Sequence, residues 1–250
     1  MIKMKLLICI CYHHCNDQGL NILFKNIYNI KNNYSCEYKI IIHTNSDYSK
    51  ELINNSHSDI EVIVCSKLDH PFYLTWQHRT YIKNNFSLYD VCMYLEDDMI
   101  LNYSNLLNYL KNLEHVWPNY VPTFLRYEEN NILEKYAVDT HRISLKKCKV
   151  LNLNEMYLNV GKIYSACWVL PSKFLKGLID KNFTIIRGGQ VIRETAASFV
   201  NWQLGKQCIL QLDKDIRKIS DKSLIHHASN KYINLIQPHF SKFKVSDLIY

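Results

Sequence analysis

Apolar and polar positions alternate along the first part of the chain in the order expected of an open α/β sheet. Apolar runs predict four strands, at KLLICICY, YKIIIHT, IEVIVC and VCMYL. Apolar residues at helical spacing predict two helices between them, in DQGLNILFKNIYNIKNN and HPFYLTWQHRTYIKNNF. Elements in this order form a mainly parallel sheet, which binds ligands outside the carboxyl ends of its strands.

The later part of the chain carries a less regular pattern. Strands are predicted at VPTFLRY and YSACWVLP, and helices in NYSNLLNYLKNLEHVW, SKFLKGLIDK and GGQVIRETAASFVNWQLGKQ. Residues 128–158 mix short apolar pieces with polar ones, which predicts loops and a small hairpin. The polar segment from Asp213 onward, which includes LIHHASNKY, receives no assignment.

The composition indicates one globular domain. Of the 250 residues, 48% are hydrophobic, and only 6 are Gly and 5 are Pro, which is sufficient for a packed core. We therefore predict a single α/β domain over 1–250, with a mixed, mostly parallel central sheet flanked by helices. Residues 1–101 form its ligand-binding half and residues 102–250 form the other half.

The charge and the cysteines of the chain indicate which partners and which cellular compartment to expect. The formal net charge is +7 and the lysines are scattered, which is typical of a solvated surface and predicts no nucleic-acid partner. The 9 cysteines lie mostly in apolar runs, which indicates a reducing, cytoplasmic compartment. No apolar run approaches the ~18 residues that span a bilayer, so any membrane contact is expected to be peripheral.

Three consecutive acids, Glu96, Asp97 and Asp98, follow the predicted strand VCMYL. Neighbouring carboxylates repel and are costly to bury, so a positive group is expected beside them. Carboxylate oxygens suit Mg²⁺ or Mn²⁺, which takes one or two protein carboxylates and fills its other positions with water and phosphate oxygens. The sequence therefore predicts a divalent metal at this strand end.

An acidic triplet after a buried strand, preceded by an α/β half and followed by a second half, resembles the GT-A fold glycosyltransferases. The motif EDD is a variant of their DXD motif. The resemblance implies a UDP-, GDP- or dTDP-sugar donor, and hexosyl or deoxyhexosyl transfer to a hydroxyl of a glycan, lipid or protein. It also implies that Asp98 binds the metal, that Glu96 faces the donor, and that Asp97 supports the site.

Further residues are predicted to bind the donor. The resemblance implies a basic residue one helix before the acids, and Arg79 stands there with a guanidinium suited to phosphate or to a base. Tyr12 and Asn45 follow the first two predicted strands, where they would border the nucleotide base. Trp76 has helical spacing from Phe72 and is predicted to belong to the core.

The same resemblance suggests a base and a second metal ligand. Inverting transfer needs a general base for the acceptor hydroxyl, and Glu194 in VIRETAAS is the candidate, with Arg193 beside it. Glu128 and Glu129 are the other candidates for the base. His227 in LIHHASNKY is predicted to complete the metal shell, since a neutral imidazole suits Mn²⁺.

Two other functions fit the same acids. A two-metal phosphoryl transferase or nuclease also uses clustered carboxylates, but it needs more of them from neighbouring strands. A non-catalytic module that binds a nucleotide or a glycan would need no base at all. We expect a metal-dependent, inverting glycosyltransferase.

Overall fold

The computed structural model describes residues 4–138, 148–179, 182–186, 192–198, 205–233 and 243–248. These residues contain six helices, α1 to α6, at Asp17–Asn33, Asp47–Ser56, Gln77–Asn85, Tyr103–Val116, Ser172–Leu175 and Ile192–Ala197. They also contain fourteen strands, β1 to β14, at Lys5–Tyr12, Glu37–Thr44, Glu61–Val64, Val91–Glu96, Met99–Ile100, Tyr120–Pro122, Leu125–Glu129, Lys135–Ala137, Lys149–Asn152, Met156–Gly161, Cys167–Pro171, Gln207–Gln211, Leu224–His227 and Phe243–Lys244.

The chain divides into two compact units, each built from two segments. The first unit comprises Met1–Asp98 and Ala166–Ala197, and the second comprises Met99–Ser165 and Ser198–Tyr250. One boundary thus falls directly after the acidic triplet. The predicted division into 1–101 and 102–250 stays a prediction, as does the prediction of a single domain.

The first unit is organised by a five-stranded sheet in the order β11, β4, β1, β2, β3. Strands β1 to β4 are parallel, and β11 joins antiparallel at the edge of β4. Every residue of β4 and all but the first residue of β1 are buried, as expected of parallel strands at the centre of a sheet. The predicted mixed, mostly parallel sheet is confirmed.

The register of this sheet brings three strand ends together. Tyr12 at the end of β1 pairs with Thr44 at the end of β2, and Cys11 pairs with Glu96 at the end of β4. Because all three strands run in the same direction, the residues that follow them meet at one edge of the sheet. The acidic triplet lies at this edge.

The second unit contains two smaller sheets. One has the order β6, β12, β10, β9, and the other has the order β14, β8, β7, β13, β5. Leu125, Leu158, Leu210 and Leu224 are among the buried residues of its core. In the second sheet, β13 pairs in parallel with β7 and antiparallel with β5, so that His227 lies opposite Met99.

Several predicted elements are wrong in extent. The polar segment after β2 contains the helix α2, and VPTFLRY forms two strands, β6 and β7, instead of one. The helix predicted in SKFLKGLIDK is confined to α5 in the described residues. The region predicted as loops and a small hairpin contains a hairpin, β9 and β10, together with the strand β8, which was not predicted. Of the last predicted helix, only α6 is described; Gly188-Gly189, which was predicted to begin it, lies outside the described residues.

None of the helices in the described ranges combines the length and the apolar character needed to cross a bilayer.

Candidate functional site

The acidic triplet lies at the end of β4, where the chain turns into β5. Glu96 and Asp98 are each 8% exposed, and Asp97 is half-buried. The backbone holds this end in place, since the Glu96 N–H donates to the carbonyl of Ala166 at 3.0 Å. The Asn26 side chain of α1 donates to the Asp97 carbonyl at 3.4 Å. Two carboxylates are therefore fixed in a largely buried position at the carboxyl end of the parallel sheet.

The positive group that the sequence required is a guanidinium from α6. Arg193 Nε lies 3.9 Å from Glu96 Oε1, and Arg193 Nη2 lies 4.0 Å from Glu194 Oε1. Both contacts are ion pairs whose distances are too long for hydrogen bonds. The Arg193 side chain is 37% exposed and lies over the ring of Phe72 at 5.7 Å. The sequence identified Arg193 only as a neighbour of Glu194, and its pairing with Glu96 was missed.

The helix that carries Arg193 and Glu194 is fixed by side chains from residues 76–79. The Trp76 indole N–H donates to the Ile192 carbonyl at 3.0 Å. Arg79 Nη2 donates to the last carbonyls of the helix, those of Thr195 at 3.2 Å and Ala196 at 2.9 Å. A six-residue helix does not persist alone, so these bonds hold it in place. Trp76 is buried in the core as predicted.

Arg79 is fully buried rather than open to a ligand. Its exposed fraction is 0%, its guanidinium lies 4.2 Å from the Trp76 ring centroid, and Nη1 donates to the Phe183 carbonyl at 3.2 Å. A donor contact, as predicted from the sequence, would need these bonds to break. The described contacts instead favour a positioning role, because Arg79 holds the helix that presents Arg193.

A buried histidine, His78, packs against β4, the strand that ends in the acidic triplet. His78 stacks on Tyr94 of β4 at 4.0 Å between ring centroids, and its Nδ1 lies 2.7 Å from the Thr75 carbonyl. The Trp168 indole N–H donates to His78 Nε2 at 3.3 Å. Burial, with a smaller contribution from Arg79, lowers the pKa of His78 well below its usual value. The imidazole is therefore neutral, with its proton on Nδ1.

The two residues predicted to border a base lie at the adjoining strand ends. Tyr12 is fully buried, its hydroxyl lies 3.1 Å from His14 Nδ1, and burial raises its pKa to about 12. Asn45 links the ends of β1 and β2, because its Oδ1 accepts from the His14 N–H at 2.8 Å. Asn45 also approaches His13, with 3.4 Å between Nδ2 and Nε2. The contact of these residues with a base stays a prediction.

The second unit contains His227, which is bound to a buried carboxylate. His227 Nδ1 lies 2.5 Å from Glu128 Oε1, and His227 Nε2 lies 2.8 Å from the Ser229 hydroxyl. Glu128 is 0% exposed and also accepts from the N–H groups of Tyr232 and Ile233. Burial raises the pKa of Glu128, but the hydrogen bonds from His227 and the two N–H groups outweigh it and leave the pKa below its usual value. Glu128 is thus ionised and orients the imidazole.

The carboxylates at the end of β4 fit a divalent metal that takes few ligands from protein. Glu96 and Asp98 offer hard oxygen atoms that are held in place, which is what Mg²⁺ and Mn²⁺ prefer. Within the ranges that the structure covers, no three His, Cys, Asp or Glu side chains form a metal-binding group. Water and ligand oxygens would therefore supply most of the coordination.

The comparisons with known proteins show that the chain shares its fold with solved structures, and they do not assign it to a family. No protein-family model matches this sequence, and no curated protein matches it. Among solved structures, a mannosyltransferase, PcManGT from Pyrobaculum calidifontis, solved with GDP-Man and Mn²⁺, has a TM-score of 0.50 at 8% identity. The match covers 92% of this chain and 58% of that one, so the chain spans little more than half the length of the mannosyltransferase.

A second similar structure is a CMP:2-keto-3-deoxy-manno-octonic acid synthetase in complex with CTP, with a TM-score of 0.46 at 8% identity. This match covers 82% of this chain and 88% of that chain. At 8% identity, the similarity to the mannosyltransferase concerns the fold alone. The predicted α/β fold with a mixed, mostly parallel central sheet is thereby confirmed.

Proposed function

We propose that this protein is a metal-dependent glycosyltransferase that moves a hexosyl or deoxyhexosyl group from a nucleotide sugar to a hydroxyl of a glycan, lipid or protein, with inversion. The observation that carries the proposal is the end of β4, where Glu96 and Asp98 are largely buried beside the guanidinium of Arg193. A buried acidic strand end with an adjacent cation suits a ligand that combines a metal with a diphosphate. The fold agrees with this reading.

The proposed roles follow from chemistry. Asp98 is the proposed metal ligand, and Glu96, Asp97, Tyr12 and Asn45 are proposed to bind the donor. The role of His227 as a metal ligand stays a prediction from the sequence, because its two ring nitrogens contact Glu128 and Ser229. When bound, Mn²⁺ or Mg²⁺ would stabilise the negative charge on the leaving diphosphate. Arg193 is proposed to take one diphosphate oxygen, because its contact with Glu96 is a long ion pair and its side chain is partly exposed.

Glu194 is the proposed general base. Its side chain is 32% exposed and lies 4.0 Å from Arg193, so an acceptor hydroxyl has access to the carboxylate. The base would take the proton of the acceptor hydroxyl as its oxygen attacks the anomeric carbon. Attack from the face opposite the diphosphate inverts that centre.

A thermal-shift panel tests the donor class. UDP, GDP, dTDP and CMP are each added with and without Mn²⁺, and bound ligand at 100 times its dissociation constant adds about 2.7 kcal/mol of stability. We expect one nucleotide to shift the melting temperature only in the presence of the metal. Asp98→Asn should remove that shift, and Asp69→Asn, at an exposed acid of the same unit, should retain it.

The catalytic step is tested separately with Glu194→Gln. We expect donor-dependent turnover to fall by about 10²- to 10⁴-fold, the range for loss of a general base, while the nucleotide shift stays unchanged. An unchanged rate would remove Glu194 from the mechanism. Donor binding without turnover in the wild-type protein would favour the non-catalytic binding module.

The phosphoryl transferase or nuclease has less support. Such a site needs further carboxylates beside Asp97 and Asp98. The two parallel strands that come next in the sheet are β1, which ends at Tyr12, and then β2, which is followed by Asn45. The side chains of both residues contact His14, and neither is a carboxylate. Metal-dependent hydrolysis of a nucleic acid or a phosphate ester, without any nucleotide-sugar turnover, would favour this alternative.

A further inference from the structure

The second unit contains a cavity of about 360 Å³. Its volume lies in the lower part of the range for small-molecule sites, about 300–1,000 Å³. Two turns form its walls, one after β7 and one after β13. The lining residues are Glu129, Asn130, Asn131, Ile132, Asn230 and Ile233.

The first wall is fixed by the side chain of Asn130. Its Oδ1 accepts from the backbone N–H of Ile132 at 3.1 Å and from that of Glu134 at 2.8 Å. Its Nδ2 donates to the Glu134 carboxylate at 3.0 Å, and Lys244 forms an ion pair with the same carboxylate. This turn therefore needs no ligand to adopt its shape.

The second wall is fixed by Glu128. Its buried carboxylate accepts from the N–H of Tyr232 at 3.0 Å and from that of Ile233 at 2.5 Å. Asn230 then links the two walls, because its Oδ1 accepts from the Glu129 N–H at 3.4 Å. A site whose walls are already ordered loses less entropy when a ligand binds.

The lining favours a neutral ligand rich in hydroxyl groups. It offers one carboxylate, Glu129, together with the amides of Asn131 and Asn230, and these groups accept from or donate to hydroxyls. None of the six lining residues is cationic, so the lining offers no charged partner for a phosphate or a carboxylate. Ile132 and Ile233 add a small apolar surface for the C–H groups of a sugar ring.

We propose that this cavity binds the terminal sugar residue of a neutral glycan acceptor, with Glu129 as its principal hydrogen-bonding group. The proposal rests on the proposed function, because it names the acceptor class of that reaction. Glu129 was a candidate for the general base in the sequence; here it is a specificity-determining residue instead. Its backbone takes part in fixing the cavity, and its side chain is half-buried at the lining.

Saturation-transfer NMR on the full chain tests the proposal. The probes are the methyl glycosides of glucose, galactose, mannose and N-acetylglucosamine, with glucose 1-phosphate as an anionic comparison. We expect at least one methyl glycoside to bind saturably, and glucose 1-phosphate to bind more weakly. Glu129→Ala should weaken binding by at least tenfold, and Asn131→Ala, at an exposed position, should weaken it less.

The matched control is Glu114→Ala, at an exposed glutamate of α4 that does not line the cavity. It should bind the glycoside as the wild-type protein does. The proposal is overturned if no methyl glycoside saturates, if glucose 1-phosphate binds as tightly as the best glycoside, or if Glu129→Ala and Glu114→Ala bind alike. A melting curve of each variant shows that it is folded.

The two proposals fail in different ways. The glycoside experiment contains neither nucleotide nor metal, so it reports on the cavity alone. Glycoside binding without any nucleotide shift would keep the cavity and overturn the transferase. A metal-dependent nucleotide shift without glycoside binding would overturn the cavity and keep the transferase.

Discussion

Each unit contains a carboxylate paired with a basic side chain, and the two pairs differ in distance and in exposure. In the second unit, Glu128 is fully buried and accepts hydrogen bonds from His227 and two backbone N–H groups. In the first unit, Glu96 lies 3.9 Å from a partly exposed Arg193. Breaking a short, buried pair is costly, whereas a long and partly exposed ion pair contributes little to stability. We therefore expect Glu128 to matter most for stability, and we propose that Glu96 and Arg193 matter most for ligand binding.

The largest expected effect comes from removing the buried carboxylate. Glu128→Ala leaves the Tyr232 and Ile233 N–H groups and the His227 ring without their acceptor, and breaking a buried pair costs about 3–5 kcal/mol. We expect this loss in the free energy of unfolding, measured by urea denaturation. Glu129→Ala, the same substitution one residue along, should change stability by about 0.5 kcal/mol or less. Equal effects would show that Glu128 is not a structural residue.

A second comparison concerns Arg79 and Arg193, both in the first unit. Arg79→Met leaves the carbonyls of Thr195 and Ala196 without their donor, and unsatisfied buried groups cost about 1–3 kcal/mol. We expect a loss of about 3 kcal/mol in unfolding free energy. If Arg79 positions α6, nucleotide binding should weaken in the same variant. A variant that is destabilised but binds nucleotide normally would restrict Arg79 to a purely structural role.

On acidification, the two units should begin to lose stability at different pH values. Burial lowers the pKa of His43 in the first unit to about 4, from an ordinary value near 6.5. Because the unfolded chain takes up the proton first, stability falls as the pH drops from 6.5 towards 4. The loss should be about 1 kcal/mol between pH 7 and pH 5.5. His43→Leu should remove this contribution from the pH dependence of the unfolding free energy, measured by denaturation at each pH, while the contribution of His78, whose pKa burial also lowers, should remain.

Glu128 acts at a lower pH in the second unit. Its folded pKa is depressed, so its contribution is complete above the unfolded value near 4.3 and is lost as the pH falls through the folded pKa. Glu128→Gln should therefore lower stability above about pH 4.3, flatten the pH dependence of stability below that value, and leave the slope between pH 6.5 and pH 5 unchanged. A change of slope in that upper range would mean that another group is coupled to Glu128.

The smallest expected effect on stability is that of Arg193→Met. A partly exposed ion pair contributes about 0–1 kcal/mol, so we expect the unfolding free energy to change by about 0.5 kcal/mol. Donor binding should weaken by about tenfold, because a charged hydrogen bond contributes about 1.5–3 kcal/mol. A Mn²⁺-dependent nucleotide titration measures this effect. An unchanged nucleotide affinity would show that Arg193 serves only as a counter-ion for Glu96.

The sequence predicted the parts of the fold where burial leaves a continuous pattern. Strands β1 and β4 are buried along almost their whole length, so their apolar runs were unambiguous. Helix α2 was missed because, in DYSKELINNS, only Ser49 and Ile53 are buried, which leaves too little periodicity. The short strand β8 was missed because two of its three residues are only partly buried and its pattern is correspondingly weak.

Of the residues in the candidate site, only the three acids could be predicted from the sequence. Glu96, Asp97 and Asp98 stand out because three carboxylates after a buried strand need an explanation. The role of Arg79 could not be predicted, because its partners are backbone carbonyls more than a hundred residues away. Every residue has such a carbonyl, so the sequence does not show which ones bind a distant side chain. The pairing of Glu128 with His227 was missed for the same reason of distance along the chain.

The discontinuity of the first unit has a consequence for synthesis on the ribosome. Strand β4 is made before β11, and the residues of the second unit that lie between them take several seconds at about 5–20 residues per second. During that interval the nascent chain exposes one edge of β4, the indole of Trp76 and the guanidinium of Arg79. An unpaired strand edge is a site of aggregation. This edge of β4 can be paired only after Ala166–Ala197 has left the exit tunnel.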